Sequence, residues 1–287
     1  MFVSDNTVKS VKNYFSARLE GQFTAREIKI MFQLCAQQRL QLSSADLLLA
    51  DNLRMSESDL LYFRSVVKRL QTNEPFQYIL GEVEFYGLLL NTDKRALIPR
   101  PETEELVDWI VSKAPNATTI VDVCTGSGCI ALALKSKCPA AKVVGVDVSI
   151  DALNLAKENA KKTQLEVGFL QLDVLQQALP MDSKSIDVMV SNPPYVLENE
   201  KLQMANHVLD FEPALALFVP NNDPLLFYKK IVHEATQKLK TGGFLFFEIN
   251  EQYGNDVATL LNQSGFHSVE IKQDLQGKDR MVAGCLA

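Results

Sequence analysis

Two hydrophobic rhythms divide the chain. Over the first 75 residues the apolar side chains recur at helical spacing, with Ile28, Phe32 and Cys35 forming one stripe and Leu60, Phe63, Val67 and Leu70 another. Gly21 is the one glycine of this stretch and Pro75 its one proline, so little breaks the helical pattern. Thr24 before Ala-Arg-Glu and Ser56 before Glu-Ser-Asp stand where an N-cap oxygen is needed, each with an acid in the following turn. The pattern predicts a small helical domain over residues 1–75, too small to hold a catalytic cleft of its own. Residues 76–98 turn to β-branched and aromatic side chains interrupted by Gly81 and Gly87, which predicts a β-hairpin connector.

From residue 99 to 287 short apolar runs alternate with amphipathic ones. Strands are expected at Thr119–Val123, Lys142–Asp147, Val167–Leu172, Ile186–Ser191 and Phe244–Ile249. Helices are expected at Gly128–Lys137, Ser149–Lys161 (capped by Ser149), Pro224–Leu239 and Asn255–Gln263, and two last strands, Ser268–Lys272 and Arg280–Cys285, read as an antiparallel edge hairpin. Continuously apolar strands alternating with helices imply a parallel sheet covered on both faces, a doubly wound α/β domain.

Composition narrows the chemistry. The 287 residues are 47% hydrophobic and 22% charged, which suits a globular protein rather than a disordered one. The net charge of −6 is uneven: residues 1–75 carry +2 and the remainder −8, which argues against bulk attraction to nucleic acid or anionic membrane. Five cysteines without a C-x-x-C and three scattered histidines suggest neither a disulfide framework nor a metal site. The N-terminal residues have no apolar core of a signal peptide, and no uncharged apolar stretch approaches a membrane span, so a cytoplasmic protein is expected.

Two segments carry candidate chemistry. After the first strand of the α/β region comes D-V-C-T-G-S-G-C-I-A, Asp122–Ala131, where Gly126 and Gly128 let the backbone turn tightly toward a ligand at a helix N-terminus. Asp147 at the end of the next strand is placed to accept hydrogen bonds from ribose hydroxyls. Asp173 and Val174 end the third strand, where a carboxylate can take an exocyclic amine and an apolar neighbour can cover the ring of an adenine. These strand ends describe an adenosine site, although the turn alone also satisfies the loose G-x-G-x-x-A pattern of NAD or FAD sites, or simply caps a strand beside a helix-terminal acid. The fourth strand runs into Asn192-Pro193-Pro194-Tyr195, a rigid extended segment beyond the sheet's carboxyl edge. The Asn192 side-chain oxygen and the Pro193 carbonyl are neutral acceptors suited to the two hydrogens of one planar NH2, with Tyr195 available to pack on its face. Such a grip suits methyl transfer to an amide or aromatic amine, whose nitrogen is a poor nucleophile. The bland reading of the segment is a stiff loop with a packing tyrosine.

Together the D-x-x-T-G-S-G turn, the strand-end aspartate and N-P-P-Y resemble a class I S-adenosylmethionine-dependent methyltransferase acting on a planar NH2. Leu97–Leu106 (L-I-P-R-P-E-T-E-E-L), Phe211–Leu217 (F-E-P-A-L-A-L) and Phe246–Gln252 (F-F-E-I-N-E-Q) are similar to segments of the release-factor glutamine methyltransferases, the HemK/PrmC family. The resemblance spans roughly residues 76–285. It implies a Rossmann-like doubly wound seven-stranded methyltransferase sheet with a small N-terminal helical domain, S-adenosyl-L-methionine as cofactor, and a class 1 peptide chain release factor as protein substrate, methylated on the side-chain amide of its Gly-Gly-Gln glutamine. It further implies that the helical and catalytic domains together hold the release factor.

Residue by residue, the resemblance implies cofactor contacts at Cys124, Thr125, Gly126, Ser127, Gly128, Asp147, Val174 and Asn192, with Asp173 and Thr103 as further cofactor-side residues. Substrate contacts run over Asn192, Pro193, Pro194 and Tyr195, and catalysis rests on Asn192, Pro193 and Tyr195 with no metal and no dedicated general base. Arg100 and Glu102 either brace this wall or touch a ligand, while Glu212 and Glu248 read as structural partners. Two positions depart from the family pattern: Cys124 stands where glycine is usual, so that either φ > 0 is not needed there or the turn is altered, and Asn250 replaces the glycine of E-I-G, a position asparagine fits if left-handed geometry is needed. Rival readings are a ribosomal-protein glutamine methyltransferase, an adenine amino-methyltransferase on DNA or RNA, an NAD-dependent reductase and a non-catalytic binder of a translation factor or nucleotide. No stable nucleic-acid complex, no membrane association and a monomer are expected.

Overall fold

The computed structural model describes Val3 and residues 5–287. The chain divides into two compact units, one of residues 1–81 with Asn206–Phe211, the other of residues 82–205 and 212–287.

The first unit is helical. Helices α1 (Val8–Leu19), α2 (Ala25–Leu40), α3 (Ser44–Leu49) and α4 (Glu57–Gln71) each begin at a hydroxyl cap: Thr7, Thr24, Ser43 and Ser56 accept from the backbone N–H three residues on. At the last three the reciprocal acid, Glu27, Asp46 or Asp59, reaches back to the cap's own N–H. The predicted stripes meet in one core, where Phe15, Phe32 and Phe63 form a triangle with centroid separations of 5.6, 5.3 and 6.5 Å.

Residues 76–80, expected as the start of the hairpin connector, instead form helix α5 (Phe76–Leu80). Pro75 opens it and Gly81, at φ 78°, closes it, the Pro-before and Gly-after arrangement that favours a short helix over a strand. The hairpin itself is confined to β1 (Glu82–Phe85) and β2 (Leu88–Asn91).

The second unit continues through α6 (Pro101–Lys113), β3 (Thr119–Val123), α7 (Cys129–Lys137), β4 (Lys142–Asp147), α8 (Ile150–Thr163), β5 (Gly168–Gln171) and β6 (Ile186–Ser191). A small pair follows, β7 (Val196–Leu197) with β8 (Phe218–Val219), and between its strands lies α9 (Asn206–Phe211), which belongs to the helical unit. The chain ends with α10 (Leu226–Lys238), β9 (Leu239–Glu248), α11 (Gly254–Gln263), β10 (Phe266–Gln273) and β11 (Asp279–Leu286). The seven-stranded sheet has the order β10-β11-β9-β6-β3-β4-β5. From β9 to β5 it is parallel, and β11 and β10 close it as the antiparallel hairpin read from the sequence.

Strand residues alternate between two cores, as a period of two with both faces covered requires. Val121, Met189 and Phe247 pack with Tyr228 and Ile231 of α10 and Val257 and Leu261 of α11. Ile120, Val188 and Phe246 pack on the opposite face with Leu106 and Ile110 of α6 and Leu132 of α7. Among the described residues no helix is long and apolar enough to cross a membrane.

The fully buried Phe63 joins both partners of the aromatic triangle. Phe63→Ala is expected to cost the helical unit about 3–5 kcal/mol. Amide hydrogen exchange on the full chain checks this: protection should fall across α1, α2 and α4 and stay unchanged in β3, β6 and β9.

Candidate active site

Strands β3 and β6 lie side by side at the point where the sheet order reverses, the crevice in which open α/β sheets bind ligands. Their register pairs Val123 with Ser191, and the Ser191 hydroxyl donates to the Val123 carbonyl at 2.6 Å. The next residue on each strand is therefore Cys124 on one side and Asn192 on the other. The two sequence motifs emerge from adjacent strands at one edge.

The turn after β3 is left-handed at Cys124 (φ 62°), Gly126 (φ 54°) and Gly128 (φ 79°). Position 124 thus does require the positive φ for which glycine is usual, and cysteine adopts it at a conformational cost of about 1–2 kcal/mol. Gly126 has no neighbour within 4 Å of where a Cβ would lie, so its face of the turn is open. Gly128 is different: a Cβ there would sit 3.1 Å from Ala156 and 3.3 Å from the Phe169 ring, and the residue is absent from the cleft wall. Glycine at this position lets α7 pack closely against α8 and β5.

Asp122 anchors this turn from beneath. Its Oδ2 accepts from the Thr125 hydroxyl at 2.5 Å and the Ala131 N–H at 3.2 Å, while the buried Oδ1 has no partner. Burial pushes the carboxyl up to about 7, against the pull of the two hydrogen bonds. Asp147 ends β4, and its two oxygens accept from Gly126 N at 2.8 Å and Ser149 N at 2.9 Å. Burial raises its pKa too, opposed by these backbone donors.

A cleft opens above these strand ends, the place where an α/β sheet binds a small molecule. Cys124, Thr125, Gly126 and Ser127 line it, and so do Asp147, Asp173, Val174, Thr103 and Asn192. Asp173 has one oxygen engaged by Leu175 N at 2.9 Å. Of the N-P-P-Y segment, Asn192 and Pro194 stand on the wall, and Pro193 and Tyr195 do not. Among the described residues neither the Asn192 side-chain amide nor the Pro193 carbonyl takes part in a hydrogen bond within the protein.

Tyr195, expected to cover a substrate amide, turns inward instead. A largely buried phenol needs a partner, and this one donates to Glu248 Oε1 at 3.2 Å, while its ring packs against the sheet core. Burial and the carboxylate hold the Tyr195 phenol well above its ordinary value. The other Glu248 oxygen accepts from the Thr103 hydroxyl at 2.6 Å, and burial raises the pKa of this carboxyl as well. Arg100 lines the cleft while paired with the buried Glu212 at 2.5 Å, and Glu212 also accepts from Ile98 N. Glu102 is not on the wall and accepts from Gln276 at 3.3 Å. Sequence reasoning gave no role to Phe227, Leu215 or Arg95, which also line the cleft. Leu215 lies within the Phe211–Leu217 segment singled out in the sequence, whereas nothing in a lone Phe at position 227 of α10 marks it as a wall residue.

The Methyltransferase small domain family matches residues 102–214, and the PrmC N-terminal domain family matches residues 12–81. A release factor glutamine methyltransferase of Flavobacterium psychrophilum is 39% identical over 96% of this chain and 98% of its own length. One of Bacteroides thetaiotaomicron is 40% identical over 94% of this chain and 96% of its own. The chain belongs to the release factor glutamine methyltransferase family. Its α/β architecture is also that of the hMettl16 catalytic domain, solved with the MAT2A 3′UTR hairpin 6 (TM-score 0.55, 15% identity, 81% of this chain and 82% of that one). At that identity the likeness extends to the fold alone. Within the release factor glutamine methyltransferase pattern the chain keeps the turn's left-handed path despite Cys124, whereas Asn250 does not use left-handed geometry at all.

The raised Asp122 pKa has a definite sign. The folded state holds this proton up to about pH 7 and the unfolded chain releases it near pH 4, so Asp122 removes stability as pH rises through that window, by roughly 1.4 kcal/mol per pH unit. Asp122→Asn should remove this component. Melting curves between pH 4 and 7 should show the stability of the variant relative to wild type rising with pH, and a pH-independent difference would refute the assignment.

Proposed function

We propose that this chain transfers a methyl group from S-adenosyl-L-methionine to the side-chain amide nitrogen of the glutamine in the Gly-Gly-Gln loop of class 1 peptide chain release factors. The observation that carries the reading is the β3–β6 register, which brings the glycine turn and Asn192 to one crevice, where among the described residues the Asn192 side-chain amide takes part in no hydrogen bond. The names of relatives covering nearly the whole chain support the substrate class.

The residues present suit the cofactor. The open face of Gly126 admits close approach to the backbone, and the Asp147 oxygens, each holding one backbone N–H, retain lone pairs for hydroxyl groups. Asp173 and Val174 offer a carboxylate and an apolar side chain to an adenine, and Thr103, Cys124, Thr125 and Ser127 complete the wall. When bound, the cofactor supplies an electrophilic methyl on a sulfonium. Asn192 Oδ1 and the Pro193 carbonyl accept the two amide hydrogens of the glutamine, orient its nitrogen and favour positive charge growing on it. Once the nitrogen carries four substituents its proton is acidic and passes to water, so no side chain of the chain needs to act as a base. Tyr195 braces the segment through Glu248 instead of touching the amide. The helical unit would take the body of the release factor, and the setting is the cytoplasm.

Mass spectrometry of a class 1 release factor incubated with the protein and S-adenosylmethionine should find one added methyl on the Gly-Gly-Gln glutamine. Absence of that methyl, with the cofactor bound, would move the substrate elsewhere. Asn192→Ala is expected to lower kcat by about 10²–10³-fold, the scale of one lost charge-stabilising contact, with the fold intact by circular dichroism.

A further inference from the structure

Asn250 has a use of its own in this chain. Asn250 is 8% exposed and lies just beyond β9 without positive φ. What the position exploits is therefore the side chain rather than backbone freedom. Its Nδ2 donates to the Tyr195 carbonyl at 3.3 Å and to the Glu200 carboxylate at 3.2 Å, and its Oδ1 accepts from Gln252 N at 3.0 Å. Glu200 in turn accepts from Leu197 N at 2.8 Å and from the Gln252 side chain at 3.1 Å. A closed ring of hydrogen bonds thus ties residues 250–252 to residues 195–200.

Tyr195 is consequently held at two points: its hydroxyl by Glu248 and its carbonyl by Asn250, residues two apart at one strand end. Pro193 and Pro194 have fixed φ, so a restraint on Tyr195 is passed with little slack to Asn192. We propose that Asn250 is a positioning residue, which through Tyr195 and Glu200 sets the place of the Asn192 and Pro193 acceptors; the proposal rests on the function proposed above. Glycine offers neither the donor nor the acceptor of this bracket. An acceptor misplaced by about 1 Å is enough to cost 10²-fold in rate.

The test compares full-length wild type and Asn250→Ala, with Asn250→Gly as a second variant in case the first is poorly folded. Three quantities are read: kcat for methylation of a class 1 release factor, equilibrium affinity for S-adenosylmethionine, and amide exchange at Val196 and Leu197. The expected result is a kcat reduced 10–100-fold, cofactor affinity within twofold of wild type, and exchange at Leu197 raised at least tenfold while β3 and β6 keep their protection. Unchanged kcat or unchanged exchange in both variants overturns the positioning role, as does a loss of cofactor affinity matching the loss of kcat. Wild type that binds the cofactor but leaves the release factor unmethylated overturns the functional reading first, and the positioning role with it. Glu200→Gln, which keeps an acceptor but removes the charge, should fall between wild type and Asn250→Ala in both kcat and exchange.

Discussion

The site depends on one parallel pairing. Because Val123 faces Ser191 across β3 and β6, the turn that follows one strand and the asparagine that follows the other are neighbours before any side chain is considered. A slip by one residue would reverse which side chains face each core and separate the two motifs. The register is fixed in two ways: alternate residues of both strands fill different cores, and the Ser191 hydroxyl binds the Val123 carbonyl.

Around that pairing the fold tolerates local conflict. Cys124 takes a backbone conformation that suits glycine, and Asp122 lies fully buried with one oxygen unpartnered. Each is unfavourable alone, and both lie where the end of β3 passes into the turn that shapes the cleft, where strain of this kind tends to gather. The surrounding sheet, with apolar side chains on both faces, is what holds them there.

Most of the architecture could be read in the sequence because its signals are periodic. The stripe through Leu60, Phe63, Val67 and Leu70, and the apolar runs of β3 and β6, repeat at intervals set by backbone geometry. Residues 76–80 misled because Phe, Tyr and Ile favour strands in isolation, while the flanking Pro75 and Gly81 decided for a helix. At the site, the turn and Asn192 were legible since glycine and proline restrict the backbone directly. The inward turn of Tyr195 was not, because it depends on Glu248, 53 residues away, and no local pattern encodes that partner. Asn250 was misread for the same reason: its partners Tyr195 and Glu200 are at least 50 residues distant.

The two ends of the sheet differ in a way that bears on behaviour at high concentration. At one end β5 is only four residues long. At the other, β10 is longer, but its pairing with β11 shifts between His267 and Glu270 and again between Lys272 and Gln273, and Ser268 sits at φ 48° within the first irregularity. Bulges and charged side chains along an outer strand leave no straight row of free peptide groups for another chain to extend. The same hairpin that completes the fold therefore guards it against growth into fibres, a protection that lies in backbone shape and would survive many changes of surface side chain.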